Sequence, residues 1–323
     1  MLRALDSNDR ATAGVVSWPD EIDDILAGDL TCGLVYSTPA GGAVVTAVSP
    51  IGLRDRATGT IGFTTSLGMG RKLDRIAREP KVALAYHSRA HGLGDPANRR
   101  YVLVQGTARF DPEPDRGVLD EIGAKSAPFM GERRRGVFWD RWLSAYYDDR
   151  VLVQVTVTRI VCWPDLHAAE SPVVYGAPLP VHHVPPQVRP AKGIVPRGDV
   201  TKSANQIARL PYRLLGYRDD DGYPMVLPVQ VIGSSDAGIR LFTPRGLPPG
   251  GRRAGLLAHS YHPKLVGVEV GQYTGWLESD GTEAGYAPHT RSVIKTPASD
   301  TVMMLVFGFL ARHRLKARRR RQA

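Results

Sequence analysis

The sequence predicts a mainly β protein of the α+β class, built from two tandem β-barrel domains with short peripheral helices, the second copy diverged. The first observation is composition, since 34 glycines and 25 prolines favour turns and short strands over long helices. The second is a series of short β-forming runs separated by turn residues. The third is that the order of these runs recurs roughly 170 to 180 residues later, as a tandem duplication requires.

The first copy opens with an acidic segment over residues 20–26 (DEIDDIL), which predicts a short helix. Two further helices are expected, one over 70–78 that ends before Pro80, and one over 116–147. Runs rich in β-branched and aromatic residues predict six strands, at 30–36, 43–48, 60–65, 82–86, 101–110 and 151–163.

A proline-rich stretch separates the two copies. The predicted units are a cofactor-binding barrel at 15–168, a linker at 169–200, a degenerate barrel at 201–296, and a C-terminal helix with a basic tail at 297–323. His182 and His183 lie in the linker, where adjacent histidines seldom bind a metal, and no metal site is expected.

The second copy is expected to repeat the first element by element. Segments 210–217 and 225–232 repeat the first hairpin, and 238–243 repeats 60–65. A Gly- and Arg-rich turn with a short helix is expected next, over 244–263. After it, the sequence predicts that 264–270 repeats 82–86 and that 272–277 repeats 101–110.

Charge and cysteine content predict a cytoplasmic protein whose basic character resides in its tail. Of the net charge of +10, residues 312–321 (RHRLKARRRR) supply seven positive charges, which leaves +3 for the rest. The tail is either solvated or in contact with an anionic surface, and no module that reads nucleic-acid sequence is expected. Cys32 and Cys162 lack the spacing of a disulfide framework or zinc site. The chain start lacks a signal-peptide core, and the apolar run 302–310 is shorter than the about 20 residues that a membrane span needs.

Residues 64–72 (TTSLGMGRK) are the best candidate for an anion site. A strand ends and a helix begins there, so unpaired backbone N–H groups are available to an anion. Thr64, Thr65 and Ser66 add hydroxyl groups, and Arg71 and Lys72 add positive charge suited to a phosphate. The alternative is a polar turn followed by a solvated, basic helix face.

Other motifs for phosphate binding or hydrolysis are missing. Gly68-Met69-Gly70 begins like GxGxxG, but Leu73 occupies the third glycine position and no βαβ unit surrounds it. The P-loop pattern GxxxxGK[ST] does not occur. No Ser-His-Asp order, HExxH or paired carboxylates stand out, so hydrolysis is not expected.

The element order and several short motifs resemble the split β-barrel family of pyridoxamine 5′-phosphate oxidase-like flavoproteins and their deazaflavin (F420) relatives. The resemblance covers residues 20–163 and, more faintly, 205–295. The motifs that carry it are VVTAVSP at 44–50, FTTS at 63–66, RKL at 71–73, REPKVAL at 78–84, DP at 95–96 and YVLVQGTA at 101–108. The resemblance implies a split barrel in each copy.

For function, the resemblance implies a flavin- or deazaflavin-dependent oxidoreductase that acts on a small organic substrate. Its cofactor would lie between the two barrels, which would form a pseudo-dimer within one chain, and two chains could also form a homodimer. The residues that would hold the cofactor phosphate are Thr64, Thr65, Ser66, Arg71 and Lys72. Backbone groups along the ring would come from Val48, Ser49, Pro50 and Ile51.

The identity of the cofactor stays open at this point. FMN is the first choice. Coenzyme F420 is the alternative, since a basic helix face could meet its anionic tail through Arg71, Lys72, Arg75 and Arg78. A heme-binding or heme-degrading barrel is a third reading. A non-catalytic scaffold that has lost its cofactor is the fourth.

The chain departs from the family pattern at two places. Segment 54–58 (RDRAT) stands where phosphate oxidases carry Arg-x-x-Leu-Lys, so pyridoxine phosphate is not the expected substrate. In the second copy, prolines interrupt the equivalent of the phosphate segment, and that copy is expected to complete the first site. Its candidate residues are Thr243, Arg245, Arg252 and Arg253.

Histidines and aromatic residues supply the remaining candidates. His87 and His91 flank a loop near the predicted site and are candidates for a general acid or a heme ligand. His289 and Arg291 could reach across the interface between the copies. Four aromatic residues of 116–147 are expected to pack rather than to stack on a ring: Trp139, Trp142, Tyr146 and Tyr147.

Overall fold

The computed structural model describes residues 14–67, 70–113, 116–147, 150–182 and 184–322. Their strands form two antiparallel sheets, one from each half of the chain. Short helices surround the sheets. The predicted mainly β fold with two tandem barrel units is confirmed.

The first sheet contains eight strands. These are β1 (Cys32–Ser37), β2 (Ala43–Val48), β3 (Arg54–Asp55), β4 (Thr60–Ser66), β5 (Lys81–Tyr86), β6 (Tyr101–Phe110), β7 (Arg150–Trp163) and β8 (Val173–Gly176). Neighbouring strands follow the order β2-β1-β5-β6-β7-β4-β3, and β8 pairs with β7. Each of the six predicted strands is present, with ends that move by no more than two residues.

The second sheet contains seven strands. These are β9 (Tyr212–Arg218), β10 (Pro224–Pro228), β11 (Gln230–Ser235), β12 (Gly238–Phe242), β13 (Gly250–Ser260), β14 (Glu269–Ser279) and β15 (Glu283–Lys295). Their order, β10-β9-β13-β14-β15-β12-β11, is that of the first sheet with β1 to β7 replaced in turn by β9 to β15. The two halves are therefore copies of one topology.

One part of the predicted alignment of the copies is wrong. Residues 250–260 form strand β13, the counterpart of β5, where the sequence suggested a turn and a short helix. Segment 264–270 therefore does not repeat β5; it holds a 3₁₀ turn at Pro263–Leu265 and the start of β14. Pairing with β9 and β14 along both edges outweighs the weak β propensity of the Gly-Arg run. The second copy consequently has no helix between β12 and β13.

Six α-helices lie within the described residues. They are α1 (Asp20–Gly28), α2 (Gly70–Arg78), α3 (Arg116–Met130), α4 (Val137–Tyr147), α5 (Val200–Arg209) and α6 (Asp300–Gln322). The single helix predicted over 116–147 is in fact two, because Gly131 (φ 84°) and Gly136 (φ 113°) adopt left-handed backbone that ends a helix. None of the described helices combines the length and apolarity that crossing a bilayer requires.

The two sheets pack against each other through equivalent strands. Strand β2 contacts β9 and β13, and reciprocally β10 contacts β1 and β5, which is the pattern of an isologous interface. One apolar cluster crosses this interface, with Val35, Ala85 and Trp163 from the first copy and Leu214 and Leu257 from the second. A separate cluster fills the first barrel. The two halves therefore share part of their core.

The predicted linker carries β8 and bonds to both copies. The backbone N–H of Gln187 donates to the carbonyl of Gly251 at 2.7 Å. Its side-chain amide donates to the carbonyl of Gly41 at 2.8 Å. Asp199 caps α5 by accepting from the N–H of Lys202 at 2.7 Å. The domain boundaries themselves stay predictions.

Candidate functional site

A cavity of about 180 Å³ lies at the C-terminal end of β4, beneath the α3–α4 segment. Its walls come from distant parts of the chain. Thr64 and Arg150 belong to the first sheet, Tyr146 and Tyr147 to α4, and Lys264 to the second copy. This cavity therefore exists only once the two copies and the α3–α4 segment have packed together.

Strand pairing sets which predicted hydroxyl groups reach the cavity. Thr64 lies opposite Leu152 on β7, and Ser66 lies opposite Arg150. Side chains alternate along a strand, so Thr64 and Ser66 share one face and Thr65 lies on the other. Thr64 and Thr65 are both buried. Of the three predicted hydroxyl residues, Thr64 lines the cavity.

Arg150 lines the cavity with Thr64, and Lys72 of α2 lies near Arg150 without itself being a lining residue. Lys72 is half-buried on α2, and burial together with the charge of Arg150 lowers the pKa of its ammonium group to about 8. Arg150 donates from Nε to the carbonyl of Tyr146 at 3.0 Å and lies 4.4 Å from the centre of that ring. Within the described part of the chain, neither cation forms an ion pair with a carboxylate. Like charges held together in this way favour binding of an anion, although Asp120, Glu132 and Asp300 also line the cavity.

Helix α2 explains why its two predicted cations differ. Leu73 and Ile76 are buried and fix one face of the helix on the core. Lys72 flanks that face, whereas Arg71 is exposed to solvent. The first turn of α2 carries no acidic residue. Gly68 and Met69, the start of the GxG pattern, lie outside the described residues.

The end of β2, expected to run along the ring of a flavin, has two of its carbonyl groups in use. The carbonyl of Val48 accepts from the Thr31 hydroxyl at 3.3 Å. The carbonyl of Pro50 accepts from the N–H of Leu53 at 3.1 Å. Ser49 between them is half-buried.

Helix α3 covers the turn that follows β2. Ile51 and Leu53 are buried in one cluster with Ile122 and Phe129 of α3. Ile122 also lines the cavity. Access to the end of β2 from this side therefore depends on the position of α3.

Charged and aromatic residues hold the outer wall in place. Arg134 pairs with Asp300 of α6 at 2.5 Å, and Arg133 lies 4.6 Å from the centre of the Tyr147 ring. Trp142 donates from its indole N–H to the carbonyl of Leu305 at 3.1 Å. The four aromatic residues expected to pack do lie against a buried α4–α6 cluster. Two of them, Tyr146 and Tyr147, line the cavity as well.

His87 is not available as a ligand, which corrects the expectation from the sequence. Its ring is buried, with Nδ1 at 2.9 Å from the carbonyl of Ala85 and Nε2 at 2.7 Å from Nε2 of His259. Both nitrogens are therefore engaged, and burial lowers the pKa of His87 to about 4. His91 is exposed, with its ring centre 5.7 Å from that of His262.

The second-copy residues expected near the site lie elsewhere. Arg252 is buried on β13 and donates to the carbonyls of Pro248 and Pro249. Arg291 bonds Gln206 of its own copy. His289 and Arg253 of the second copy line a different cavity.

Sequence reasoning missed four cations of the first cavity, Arg133, Arg134, Arg150 and Lys264. Arg150 could have been found, because it directly precedes a predicted strand that returns to β4. Lys264 had no comparable signal, since it was assigned to a strand that does not form there.

No protein-family model matches the chain, and no curated protein does. Among solved structures, a conserved hypothetical protein from Mycobacterium tuberculosis is 21% identical, over 50% of this chain and 91% of that protein, with a TM-score of 0.35. An F420 reductase is 20% identical over 43% and 94%, with a TM-score of 0.31. A pyridoxamine 5′-phosphate oxidase-related FMN-binding protein from Nostoc punctiforme is 10% identical over 62% and 87%, with a TM-score of 0.29.

The names of these structures agree with the family resemblance that the sequence predicts. At 10–21% identity and TM-scores of 0.29–0.35 they carry no argument about the ligand or the reaction.

Proposed function

We propose that the protein is an FMN-binding oxidoreductase that holds the cofactor phosphate between Thr64, Lys72 and Arg150. The observation that carries this proposal is that Arg150, which lines the cavity with Thr64, lies close enough to Lys72 to lower its pKa. Neither cation has a carboxylate partner among the described residues. A hydroxyl group beside an ammonium and a guanidinium is a donor set that suits a phosphate.

The side chains of the cavity wall are suited to contact with a flat ring, but the cavity is too small for a flavin as it stands. Tyr146, Tyr147, Met130 and Met304 supply aromatic and apolar surface. At about 180 Å³ the cavity is smaller than the about 300–1,000 Å³ of common ligand pockets. A tricyclic ring would need the α3–α4 wall to move outward. The flavin would supply the redox chemistry, and this chain would bind it, orient it and exclude water.

The placement of α2 side chains supports FMN over F420. Arg75 follows Lys72 by three residues and is its neighbour on the helix surface, so a long anionic tail would need the guanidinium of Arg75 to turn towards the first cavity. Arg75 instead lies 6.0 Å from the centre of the Tyr36 ring and lines another cavity. Arg78 is exposed on the last turn of α2. F420 remains the alternative cofactor.

We also propose that one chain acts as a pseudo-dimer. The reciprocal contacts of β2 with β9 and of β10 with β1 support this, as does Lys264, which the second copy contributes to the first cavity. Homodimer formation and contact of the basic tail with anionic surfaces stay predictions, as does a cytoplasmic location.

Titration of the protein with FMN, followed by flavin fluorescence, tests the phosphate site. Lys72→Met and Arg150→Met should each weaken FMN binding about tenfold to a hundredfold, because a hydrogen bond to a charged group contributes about 1.5–3 kcal/mol. Arg71→Met is the matched control, since Arg71 is exposed on the same helix, and should change the Kd less than about twofold.

Riboflavin, which lacks the phosphate, makes this test specific. Its weaker binding should be insensitive to all three substitutions. The affinity of the unmodified protein for FMN should also fall between pH 7 and pH 9, as Lys72, with a pKa of about 8, loses its charge. Equal losses in Arg71→Met and Lys72→Met, or equal losses for riboflavin and FMN, would show that the phosphate lies elsewhere.

A further inference from the structure

A second cavity, of about 210 Å³, lies between the two copies at the β1–β2 turn. Its walls include Gly42 of that turn, Arg75 of α2, and Arg253, Thr274 and His289 of the second sheet. It shares no lining residue with the first cavity. Because the chain is an internal duplication, the equivalent place on the other side of the interface can be compared with it directly.

The hairpin turns are equivalent residue by residue. Each links two paired strands through five residues, TPAGG in the first copy and DDDGY in the second. Ala40 therefore corresponds to Asp221, and Gly42 corresponds to Tyr223. The first-copy turn thus lacks both of the large side chains of its counterpart.

The strands that face these turns are equivalent as well. The registers of β5 on β1 and of β13 on β9 equate Lys81 with Arg253. Thr158 in β7 and His289 in β15 are each left unpaired at a bulge. His289 is therefore the counterpart of Thr158.

At the equivalent place, Tyr223 of the second-copy turn fills the space between that turn and the first sheet. Its hydroxyl group lies 2.8 Å from that of Thr158. Nζ of Lys81 lies 4.9 Å and the guanidinium of Arg159 lies 5.2 Å from the centre of its ring, within the range of cation–π attraction. Asp221 adds an ion pair to Arg159. The chain thus carries its own example of a phenol bound at this interface.

On the cavity side, the matching polar group is left without a partner. Nε2 of His289 is shielded from solvent and has no hydrogen-bond partner among the described atoms. Backbone groups of Ile194 and Val195 lie near the ring, and burial lowers the pKa of His289. The ring is therefore neutral near pH 7, and Nε2 can accept a hydrogen bond.

We propose that this second cavity binds a small phenolic molecule. The ring would lie against Arg253 as Tyr223 lies against Lys81, and its hydroxyl group would donate to Nε2 of His289. A cavity of about 150 Å³ holds a benzene ring, so about 210 Å³ accommodates a ring with a substituent. Arg75 supplies a second cation at the wall. This site is independent of the proposed flavin site.

Binding of 4-fluorophenol, followed by ¹⁹F NMR, tests the proposal, with fluorobenzene as the probe that lacks the hydroxyl group. The unmodified protein should bind one 4-fluorophenol per chain, about fivefold to tenfold more tightly than fluorobenzene, because one hydrogen bond is at stake. In His289→Leu the two probes should bind alike. Lys72→Met is the control for the first cavity and should leave 4-fluorophenol binding unchanged.

Tyr223→Ala provides a second, independent measurement. Removing this side chain should open the equivalent cavity and raise the stoichiometry from one to two 4-fluorophenol molecules per chain. The proposal is wrong if 4-fluorophenol does not bind at millimolar concentration, if His289→Leu leaves its advantage over fluorobenzene intact, or if Lys72→Met abolishes its binding. Should Tyr223→Ala fail to fold, the preference for 4-fluorophenol over fluorobenzene in the unmodified protein and in His289→Leu still tests the proposal.

Discussion

A buried ion pair fixes the start of β1 against the loop that follows β5. Arg89 donates to the carboxylate of Asp29 at 2.6 Å, and both side chains are almost fully buried. The same guanidinium donates to the carbonyls of Asn98 and Arg100. Each polar atom of this group therefore depends on the others being present.

Asp29→Ala should lower the free energy of unfolding by about 3–5 kcal/mol, because it leaves the charge of Arg89 buried without its partner. Urea unfolding measures the loss. Asp20→Ala is the control, since its pair with Arg56 is exposed and should contribute less than about 1 kcal/mol. Similar losses for both variants would contradict this account of the buried pair.

At the scale of single elements, the longest strands are shaped by bulges. The ladder between β6 and β7 shifts at Gly106, and the ladder between β14 and β15 shifts at Gly275. A Cβ atom at Gly106 would overlap with the carbonyl oxygen of Thr156, and one at Gly275 with that of Ala287. Close approach of the neighbouring strand therefore requires glycine in both copies.

Gly106→Ala should destabilise the protein by about 1–3 kcal/mol, the usual cost of overpacking, as measured by thermal or urea unfolding. Gly123→Ala in α3 is the matched control, because no atom lies within 4 Å of its added Cβ. That substitution should be neutral or stabilise the protein by about 0.5–1 kcal/mol. A neutral Gly106→Ala would mean that the bulge relaxes easily.

At the scale of the whole molecule, a pair of buried histidines joins the two copies. Nε2 of His87 lies 2.7 Å from Nε2 of His259, with the rings of Tyr212 and Tyr261 at 5.3 Å from that of His259. Nδ1 of His87 faces the carbonyl of Ala85, so it carries the proton and Nε2 accepts from His259. This bond requires a neutral His87, because protonation would remove the acceptor at its Nε2.

This contact makes stability depend on pH. Burial lowers the pKa of His87 to about 4 and that of His259 well below the usual 6.5. The unfolded chain therefore binds protons that the folded chain does not, and stability falls as the pH drops from 6.5 towards 4. The loss for His87 alone is on the order of 3 kcal/mol.

Urea midpoints at pH 7 and pH 4.5 measure this loss. Replacing both histidines by leucine should flatten the pH dependence, whereas replacing the exposed His167 should leave it unchanged. If the double variant loses as much stability at pH 4.5 as the parent protein, the loss arises from other groups.

Some strands and site residues could be predicted from the sequence, and others could not. Strands such as β2 and β6 were predicted with their final ends, because alternating burial and turn residues are local signals. Strand β13 was missed, since its glycines and arginines carry no such signal and only its two neighbours make it a strand. Thr64 and Lys72 were placed beside an anion site, but their partner Arg150 follows 78 residues after Lys72 and joins them only through the β4–β7 ladder.

The sequence by itself determined the class of fold, the duplication, and the segment of β4 and α2 around which the candidate site is built. Tertiary structure alone decided which side chains meet there, and it placed Lys264 of the second copy in the same wall. It also brought the turns TPAGG and DDDGY to equivalent places, one open beside His289 and one filled by Tyr223. The physical reason is that local patterns record which residues are buried, while the partner of each buried group depends on strand register and on packing between the copies.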